Sequence, residues 1–267
     1  MTTFIARDLK DLKSLRKKIT NKKISMVPTM GSLHEGHLSL VRKAKKVADI
    51  VIVTIFVNPI QFNNKEDLDK YPDYESEDIR KLKAIGTDIV FLPKLDDVYP
   101  PEYSTYIRLE KYNDILCAVN RKNHFVGVAT IITKLFFLLK PNFAIFGEKD
   151  FQQLMIIKKL VKDLYIDSRI ISIITIRDKN GLALSSRNNL LNATEYKKAV
   201  FINKLLKKGK KYKFDKYKKL LSDIIQDFKS IGLKRIDYLD IRDEKELKSF
   251  EEFKEADKVK FRLFIAI

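Results

Sequence analysis

Cysteine is almost missing from this chain: Cys117 stands alone among 267 residues. An internal disulfide framework is therefore excluded, and the composition fits a reducing compartment, with a small buried thiol as the ordinary reading of Cys117. Tryptophan is absent, yet hydrophobic residues still make up 45% of the chain, enough for a real core. No apolar stretch reaches the roughly 20 residues a bilayer requires, since the most apolar segment, residues 127–139, is interrupted by Lys134. The N-terminus lacks a long apolar core and carries Asp8 and Asp11 among its basic residues, which speaks against a secretory leader. These shortages lead to the expectation of a soluble, cytoplasmic protein without membrane contact. There is no GxGxxG, so the dinucleotide-binding form of an α/β fold has no support, and no internal repeat or low-complexity linker is visible.

Acidic residues are outnumbered, 35 against 53 basic ones, which gives a formal net charge of +18. Such a surplus raises nucleic acid as a partner. Here it is diffuse, with lysines scattered over nearly every helical segment among plentiful Ile and Asn, as a compositional drift would leave them. The densest run, KLLKKGKKYKFDKYKK at residues 204–219, has Tyr212, Phe214 and Tyr217 interleaved. That run suits either a grip on a nucleic-acid backbone or the solvated face of amphipathic helices.

Histidine is scarce as well, and two of the three lie in one stretch, PTMGSLHEGHL at residues 28–38. Ile24 to Val27 leads into it with strand character, and Leu40, Val41, Ala44, Val47 and Ala48 follow at helical spacing. The segment reads as a strand, a tight turn and a helix start. Gly36 permits close approach of a phosphate or sugar, and free helix N–H groups at the positive end of the dipole favour an anion. His34 and His37 can donate to phosphate oxygens, and with an ordinary pKa near neutrality they can gain charge as a leaving group develops it. Two surface histidines in a turn is the plainer alternative. A P-loop is excluded, because His37 and Leu38 stand where it needs Lys and then Ser or Thr. A zinc-protease site is excluded too, because the histidines are three apart and no Cys or third His is near.

Further on, IVIVTIFV at residues 50–57 is apolar without alternation, as in a strand buried on both faces. It ends at Asn58-Pro59-Ile60-Gln61-Phe62, which places Gln61 past the C-terminal end of a strand, where open α/β sheets bind ligands. The spacing predicts a helix over 75–85 with Ile79, Leu82 and Ile85 inward, and a strand over 88–92. Residues 93–122 have no clear period and are long enough for a cover over a site. His124 opens an apolar helix through Leu139, Pro141 ends it, and a strand follows at 143–146. That strand runs into Gly147-Glu148-Lys149-Asp150-Phe151-Gln152-Gln153, again a strand end becoming a helix. Lys149 can reach a phosphate, and Asp150 can cap the helix or bind a hydroxyl or a metal; a plain surface turn is the alternative. A strand over 169–176 precedes GLALSSRN, in which Ser185, Ser186 and Arg187 can surround outer phosphates, Arg187 by bidentate contact.

The alternation of strand and helix up to about residue 176 argues an α/β fold, a Rossmann-like doubly wound parallel sheet. Residues 177–267 change to helices near 194–208 and 216–230, then apolar runs at 236–241 and 259–267. That part reads as a smaller C-terminal α+β domain, expected to pack closely on the first.

The order PTMGSLHEGHL, VNPIQF, GEKDFQQL, GLALSSRN closely resembles the pantoate–β-alanine ligase (pantothenate synthetase) family of the HIGH-motif nucleotidyltransferase superfamily, over about residues 24–192. The resemblance implies ATP-dependent adenylation of pantoate and displacement of AMP by β-alanine, with Mg²⁺, in a homodimer. It puts Met30, Gly31, Ser32, Leu33, His34, Glu35, Gly36 and His37 against ATP, with His37 the proton donor. It adds Gly147, Glu148, Lys149, Asp150, Ile176, Leu184, Ser185, Ser186 and Arg187 to the nucleotide, and places Gln61 and Gln153 on pantoate, Gln61 also near β-alanine. His34, His37, Lys149 and Arg187 are the implied catalytic set. The chain departs from the pattern at Ala118, where relatives carry Gly, at Lys122-Asn123 in place of Pro-Gly, and at Asn142 in place of Asp. Another nucleotidyltransferase of the same superfamily, and a basic nucleic-acid-binding protein, are the rival functions.

Overall fold

The computed structural model describes residues 2–233, 235–255 and 259–267. In chain order the elements are β1 (Phe4–Ala6), α1 (Leu9–Lys17), β2 (Ile24–Thr29), α2 (Glu35–Val47), β3 (Ile50–Ile55), α3 (Lys65–Asp69), α4 (Glu75–Ala84), β4 (Ile89–Phe91) and α5 (Leu95–Val98). They continue with α6 (Cys117–Asn120), α7 (His124–Leu139), β5 (Phe143–Gly147), α8 (Phe151–Asp163), β6 (Arg169–Ile173), α9 (Ala193–Gly209), α10 (Tyr217–Ser230), β7 (Tyr238–Asp243) and β8 (Phe261–Ala266). The chain divides into two compact units: residues 1–111, 121–176 and 184–186, and residues 112–120, 177–183 and 187–267.

The first unit is an α/β layer structure around a six-stranded sheet in the order β1-β4-β3-β2-β5-β6, with every pairing parallel. The sequence pattern has Ile24 open the sheet, but Phe4–Ala6 precedes it as an edge strand on β4. Three residues between polar neighbours carry too little periodicity to announce a strand, and pairing with the buried β4 makes it one. The central strands are buried on both faces, as their mostly apolar, non-alternating sequences imply, and the few polar side chains among them, Ser25, Thr29 and Thr54, are buried too. Val27, Val51, Val53, Val90 and Ile145 pack with Leu40, Val41 and Ala44 of α2 and with Leu82 of α4 in one cluster. At roughly 1.5–3 kcal/mol for each fully buried aliphatic side chain, this cluster contributes substantially to holding α2 and α4 on the sheet.

The chain leaves β2 toward β3 and β4, then returns to β5 on the other side of β2. The C-terminal ends of β2 and β5 therefore flank the point where the strand order reverses, the usual ligand crevice of an open parallel sheet. Asn142 holds that neighbour pair in register: its Oδ1 accepts the Ile24 N–H at 2.8 Å, and its own N–H donates to Ile24 O at 2.8 Å. An Asp would offer the same acceptor, so the departure at this position preserves the join.

Residues 93–122, without period in sequence, contain two short helices, α5 and α6. Tyr99, Tyr103 and Tyr106 meet in series, tilted and then edge-to-face, with centroids 5.0 Å and 5.3 Å apart. Lys134 of α7 sits 4.0 Å over the Tyr103 ring and donates to Val98 O. This part of the segment is anchored to α7 by aromatic and cation–π contact, which no local periodicity encodes.

In the second unit β7 and β8 pair antiparallel, and Leu205 of α9, Leu220, Ile224 and Phe228 of α10, Ile241 and Phe250 form its core. Lysines of the basic run pair with acids of the same unit, Lys208 with Asp227 at 2.7 Å and Lys218 with Glu251 at 3.1 Å.

Candidate active site

The turn after β2 owes its shape to backbone conformation. Gly31 has φ +82° and Ser32 φ +51°, so two successive residues occupy the left-handed region, which Gly reaches freely and Ser only under support. The support comes from neighbouring elements. Thr29 Oγ1 donates to Thr54 O at 2.8 Å and accepts from Gly31 N at 3.3 Å. Asp78 of α4 accepts the Leu33 N–H at 2.7 Å, and Lys81 donates to Leu33 O at 2.6 Å. Ser186 Oγ donates to Ser32 O at 3.0 Å. Asp78 and Lys81 were not singled out in the sequence. The signal was there: Asp78 stands four residues before the inward-facing Leu82, and a carboxylate on the buried stripe of a helix needs a partner.

His34 and His37 form a cap. His34 is the N-cap of α2, and its Nδ1 accepts from Gly36 N at 3.1 Å, while His37 Nδ1 accepts from His34 N at 3.3 Å. The rings lie 4.1 Å apart, and the space a Cβ would fill at Gly36 is taken by the His34 ring, 2.8 Å away. Two amides expected to be free for an anion are thus occupied by imidazoles. An Nδ1 that accepts a backbone N–H carries no proton, so the ring proton sits on Nε2 and is presented as a donor.

The expected near-neutral titration of these rings is also corrected. Burial, and then the charges of Lys149 and Lys81, push His34 down to about 4. Burial, His34 and the same two lysines push His37 down to about 3. Both imidazoles are neutral at physiological pH, because a second positive charge in a partly desolvated site already holding Lys149 is costly.

At the end of β5, Gly147 leads into a 3₁₀ turn, Glu148–Asp150, and then α8. A Cβ at Gly147 would meet nothing within 4 Å, so the crevice is open at that strand end. Glu148 Oε1 accepts from Ser172 Oγ at 3.0 Å, and Lys149 lies 3.6 Å from Asp150. Asp150 makes no side-chain cap on α8, contrary to one expectation; pairing with Lys149 competes for it. Gln153 lies half-buried in the first turn of α8.

Gln61 closes the 3₁₀ turn Pro59–Gln61 beyond β3. Asn58 Nδ2 donates to Gln61 Oε1 at 2.9 Å, and Gln61 Nε2 donates to Met30 Sδ at 3.0 Å. The third histidine belongs to this arrangement, His124 Nδ1 lying 2.7 Å from Gln61 O. Gly127, one turn further along α7, lets the helix approach: a Cβ there would stand 2.7 Å from Gln61 N and 2.8 Å from Ile60 C. Asn123, in place of the family's Gly, has φ +65°, a conformation that Asn adopts more readily than other side chains. Asn58 and Gly127 were missed in sequence because neither type is distinctive and their partners lie far along the chain.

β6 ends at Ile173, three residues short of the expected strand, and Leu184 N then donates to Ile176 O at 3.0 Å. Leu184, Ser185 and Ser186 cluster with the first unit and Arg187 with the second. Arg187 lies in a 3₁₀ helix, Ser186–Leu190. Met30, His34, His37 and Gln61 are thus gathered at neighbouring strand ends of the first unit, with Lys149 close enough to depress both imidazoles.

The pantoate-beta-alanine ligase family profile matches residues 4–267. A protein named pantothenate synthetase from Carboxydothermus hydrogenoformans is 43% identical over 256 residues, covering 92% of this chain and 89% of the relative. Another, from Thermosipho africanus, is 41% identical over 98% of this chain and 94% of its own length. The crystal structure of pantothenate synthetase from Thermus thermophilus superposes with a TM-score of 0.86 at 32% identity, covering 92% of this chain and 90% of that one. That of pantoate-beta-alanine ligase from Francisella tularensis, complexed with beta-gamma ATP and beta-alanine, gives 0.81 at 35% identity, covering 99% and 98%. A profile spanning nearly the whole chain, on a sheet whose strand ends carry the matching turns, makes this chain a member of the pantoate-beta-alanine ligase family.

Proposed function

We propose that the chain condenses pantoate with β-alanine at the expense of ATP, through a pantoyl-adenylate, releasing AMP and pyrophosphate. The observation that carries this reading is the pair of imidazoles at the start of α2, each with Nδ1 taken by a backbone N–H so that Nε2 holds the proton, within electrostatic reach of Lys149. A carboxylate is already ionised at neutral pH, so its attack on the α-phosphorus requires no general base. The need is alignment, together with donors for the charge that develops on the leaving pyrophosphate. His34 and His37 supply two N–H donors, His37 to the departing oxygen, and Lys149 supplies a point charge. Met30 to His37 and Gly147 to Asp150 form the nucleotide walls, and Ile176, Leu184, Ser185 and Ser186 the flap. Arg187 carries over from the sequence resemblance alone. In the second step the neutral amine of β-alanine attacks the acyl carbon; the bond to the adenylate oxygen breaks, AMP leaves, and the amine loses its proton.

Gln61 and Gln153 are the proposed contacts to pantoate. Gln61 offers its N–H to a weak thioether acceptor, which a substrate oxygen can replace at little cost. Replacing Gln153 by Ala is expected to weaken pantoate more than ATP.

Among the described residues no three His, Cys, Asp or Glu side chains gather as a metal cage. That suits Mg²⁺, which keeps much of its water and binds through one or two carboxylates together with substrate phosphates. Asp150, with a side chain 62% exposed, is the carboxylate offered at this strand end. When bound with ATP the ion neutralises phosphate charge. No helix among the described residues is long and apolar enough to cross a membrane; a homodimer in the cytoplasm completes the reading.

The test is incubation with ATP, Mg²⁺, β-alanine and pantoate labelled with ¹⁸O in its carboxylate. AMP, pyrophosphate and pantothenate are expected in equal amounts, with one labelled oxygen in AMP. Stoichiometric ADP, or unlabelled AMP, sinks the adenylate route.

A further inference from the structure

We propose that Tyr99 is a positioning residue for the acid substrate: its hydroxyl fixes the Asn58 carboxamide, and Asn58 turns the Gln61 amide so that its N–H faces the substrate. The inference rests on the reading of Gln61 as a pantoate contact.

Asn58 stands at the exit of β3, 1% exposed, with its whole side chain engaged. Its Oδ1 accepts from the Tyr99 hydroxyl at 3.0 Å, and Nδ2 donates to Gly127 O at 3.0 Å and to Gln61 Oε1 at 2.9 Å. A backbone carbonyl only accepts, so the Asn58 NH₂ must face Gly127. Its oxygen then points toward Tyr99 and, being buried, requires the donor that the phenol supplies. With this NH₂ fixed, Gln61 must offer it oxygen, which leaves Gln61 Nε2 aimed at Met30 Sδ, 3.0 Å away at the end of β2. The Gly127 carbonyl and the Tyr99 hydroxyl, one at each end of the Asn58 carboxamide, thereby decide which end of the Gln61 amide meets the ligand. An N–H so presented suits a carboxylate or hydroxyl oxygen and disfavours a cationic group.

The main chain of Gln61 is held by other means, through His124 at 2.7 Å and the close approach of Gly127. Tyr99 itself is set by its ring, 6.1 Å from Phe56 and 5.0 Å from Tyr103. Burial raises its phenol above the ordinary value, so it remains a donor throughout the working range. Removing the hydroxyl alone should therefore disturb the orientation of two side chains and leave the backbone in place.

The experiment compares Tyr99→Phe, Asn58→Asp, Gln61→Ala and the double variant Tyr99→Phe/Gln61→Ala in steady-state assays with pantoate, β-alanine and ATP, alongside thermal midpoints. Tyr99→Phe should raise the pantoate KM about five- to tenfold while the ATP KM moves less than about twofold, the scale of one buried hydrogen bond. Asn58→Asp keeps an acceptor for Tyr99 but has no N–H for Gln61, so it should show the same split. In the Gln61→Ala background Tyr99→Phe should add little, because the group it orients is gone. A merely structural tyrosine would lower the thermal midpoint and spare this ratio. An unchanged pantoate KM in Tyr99→Phe, with Gln61→Ala raising it, overturns the inference and leaves the site reading intact. An unchanged pantoate KM in Gln61→Ala overturns both. Should Tyr99→Phe fail to fold, a normal pantoate KM in Asn58→Asp decides against the proposal.

Discussion

Asp78 holds the backbone of Leu33 across 45 residues of sequence, its Oδ1 accepting the Leu33 N–H at 2.7 Å. Its Oδ2 is buried without a hydrogen-bond partner, and burial raises its pKa, partly opposed by the amides of Leu33 and Ser32. A carboxylate is tolerated in that position because the turn above it, with Gly31 and Ser32 both left-handed, has a backbone donor that needs an acceptor. Asp78→Ala leaves the Leu33 N–H unpaired and should cost about 1–3 kcal/mol of stability. A raised ATP KM should accompany the loss. Asp78→Asn keeps an acceptor at Oδ1 and should recover most of both. Equal losses in the two variants, measured by urea unfolding and ATP titration, would show that the bond to Leu33 is not what matters.

The two histidines predict an acid limb in stability. Their folded pKa values, about 4 and 3, lie below the usual 6.5 of the unfolded chain, so the unfolded state takes up protons first as pH falls. Their contribution is full above about pH 6.5 and is lost progressively from there toward pH 4 and 3. Thermal midpoints from pH 7.5 to 4.5 should fall less steeply for His34→Gln/His37→Gln than for the parent. kcat/KM for ATP should show no inflection near 6.5 from these rings, and one that vanishes in His37→Gln would mean that His37 titrates at its ordinary value and is not depressed by its surroundings.

Gly127→Ala tests the seating of the Gln61 turn. The added methyl would meet Gln61 N and Ile60 C at 2.7 Å and 2.8 Å, both backbone atoms that cannot swing aside. A cost of about 1–3 kcal/mol is expected for this overpacking, together with a raised pantoate KM. Wild-type stability and kinetics would show that α7 can shift away without consequence.

The basic run offers the converse test. Lys208 and Lys218 pair with acids of their own unit, which fits a solvated face. Neutralising Lys204, Lys207 and Lys211 should leave the ligase reaction nearly intact, while His37→Ala should lower it by roughly 10²-fold or more, the scale for one transition-state donor. Binding to duplex DNA should be weak and fall steeply with salt. Tight binding that survives physiological salt, or collapse of activity in the lysine variant, would give this helix pair a role of its own.

What the sequence determined by itself was whatever rests on local order. Largely apolar runs at 24–27 and 50–57 marked the buried strands, helical spacing marked α2, α4, α7, α9 and α10, and four short blocks marked the turns proposed to carry the chemistry. These signals are legible because a strand buried on both faces and an amphipathic helix each impose a period on consecutive residues. Tertiary structure alone decided the rest. Phe4–Ala6 became a strand only by pairing with β4. The protonation of His34 and His37 followed from burial and from lysines 47 and 115 positions away from His34, at 81 and 149, and no property of the turn itself indicates it. Asp78, Asn58, Tyr99 and Gly127 gained their roles from partners 45, 41 and 69 residues distant, at Leu33, between Tyr99 and Asn58, and between Gly127 and Asn58. A hydrogen bond between such positions leaves no period to read, since it depends on where the sheet brings the strand ends together.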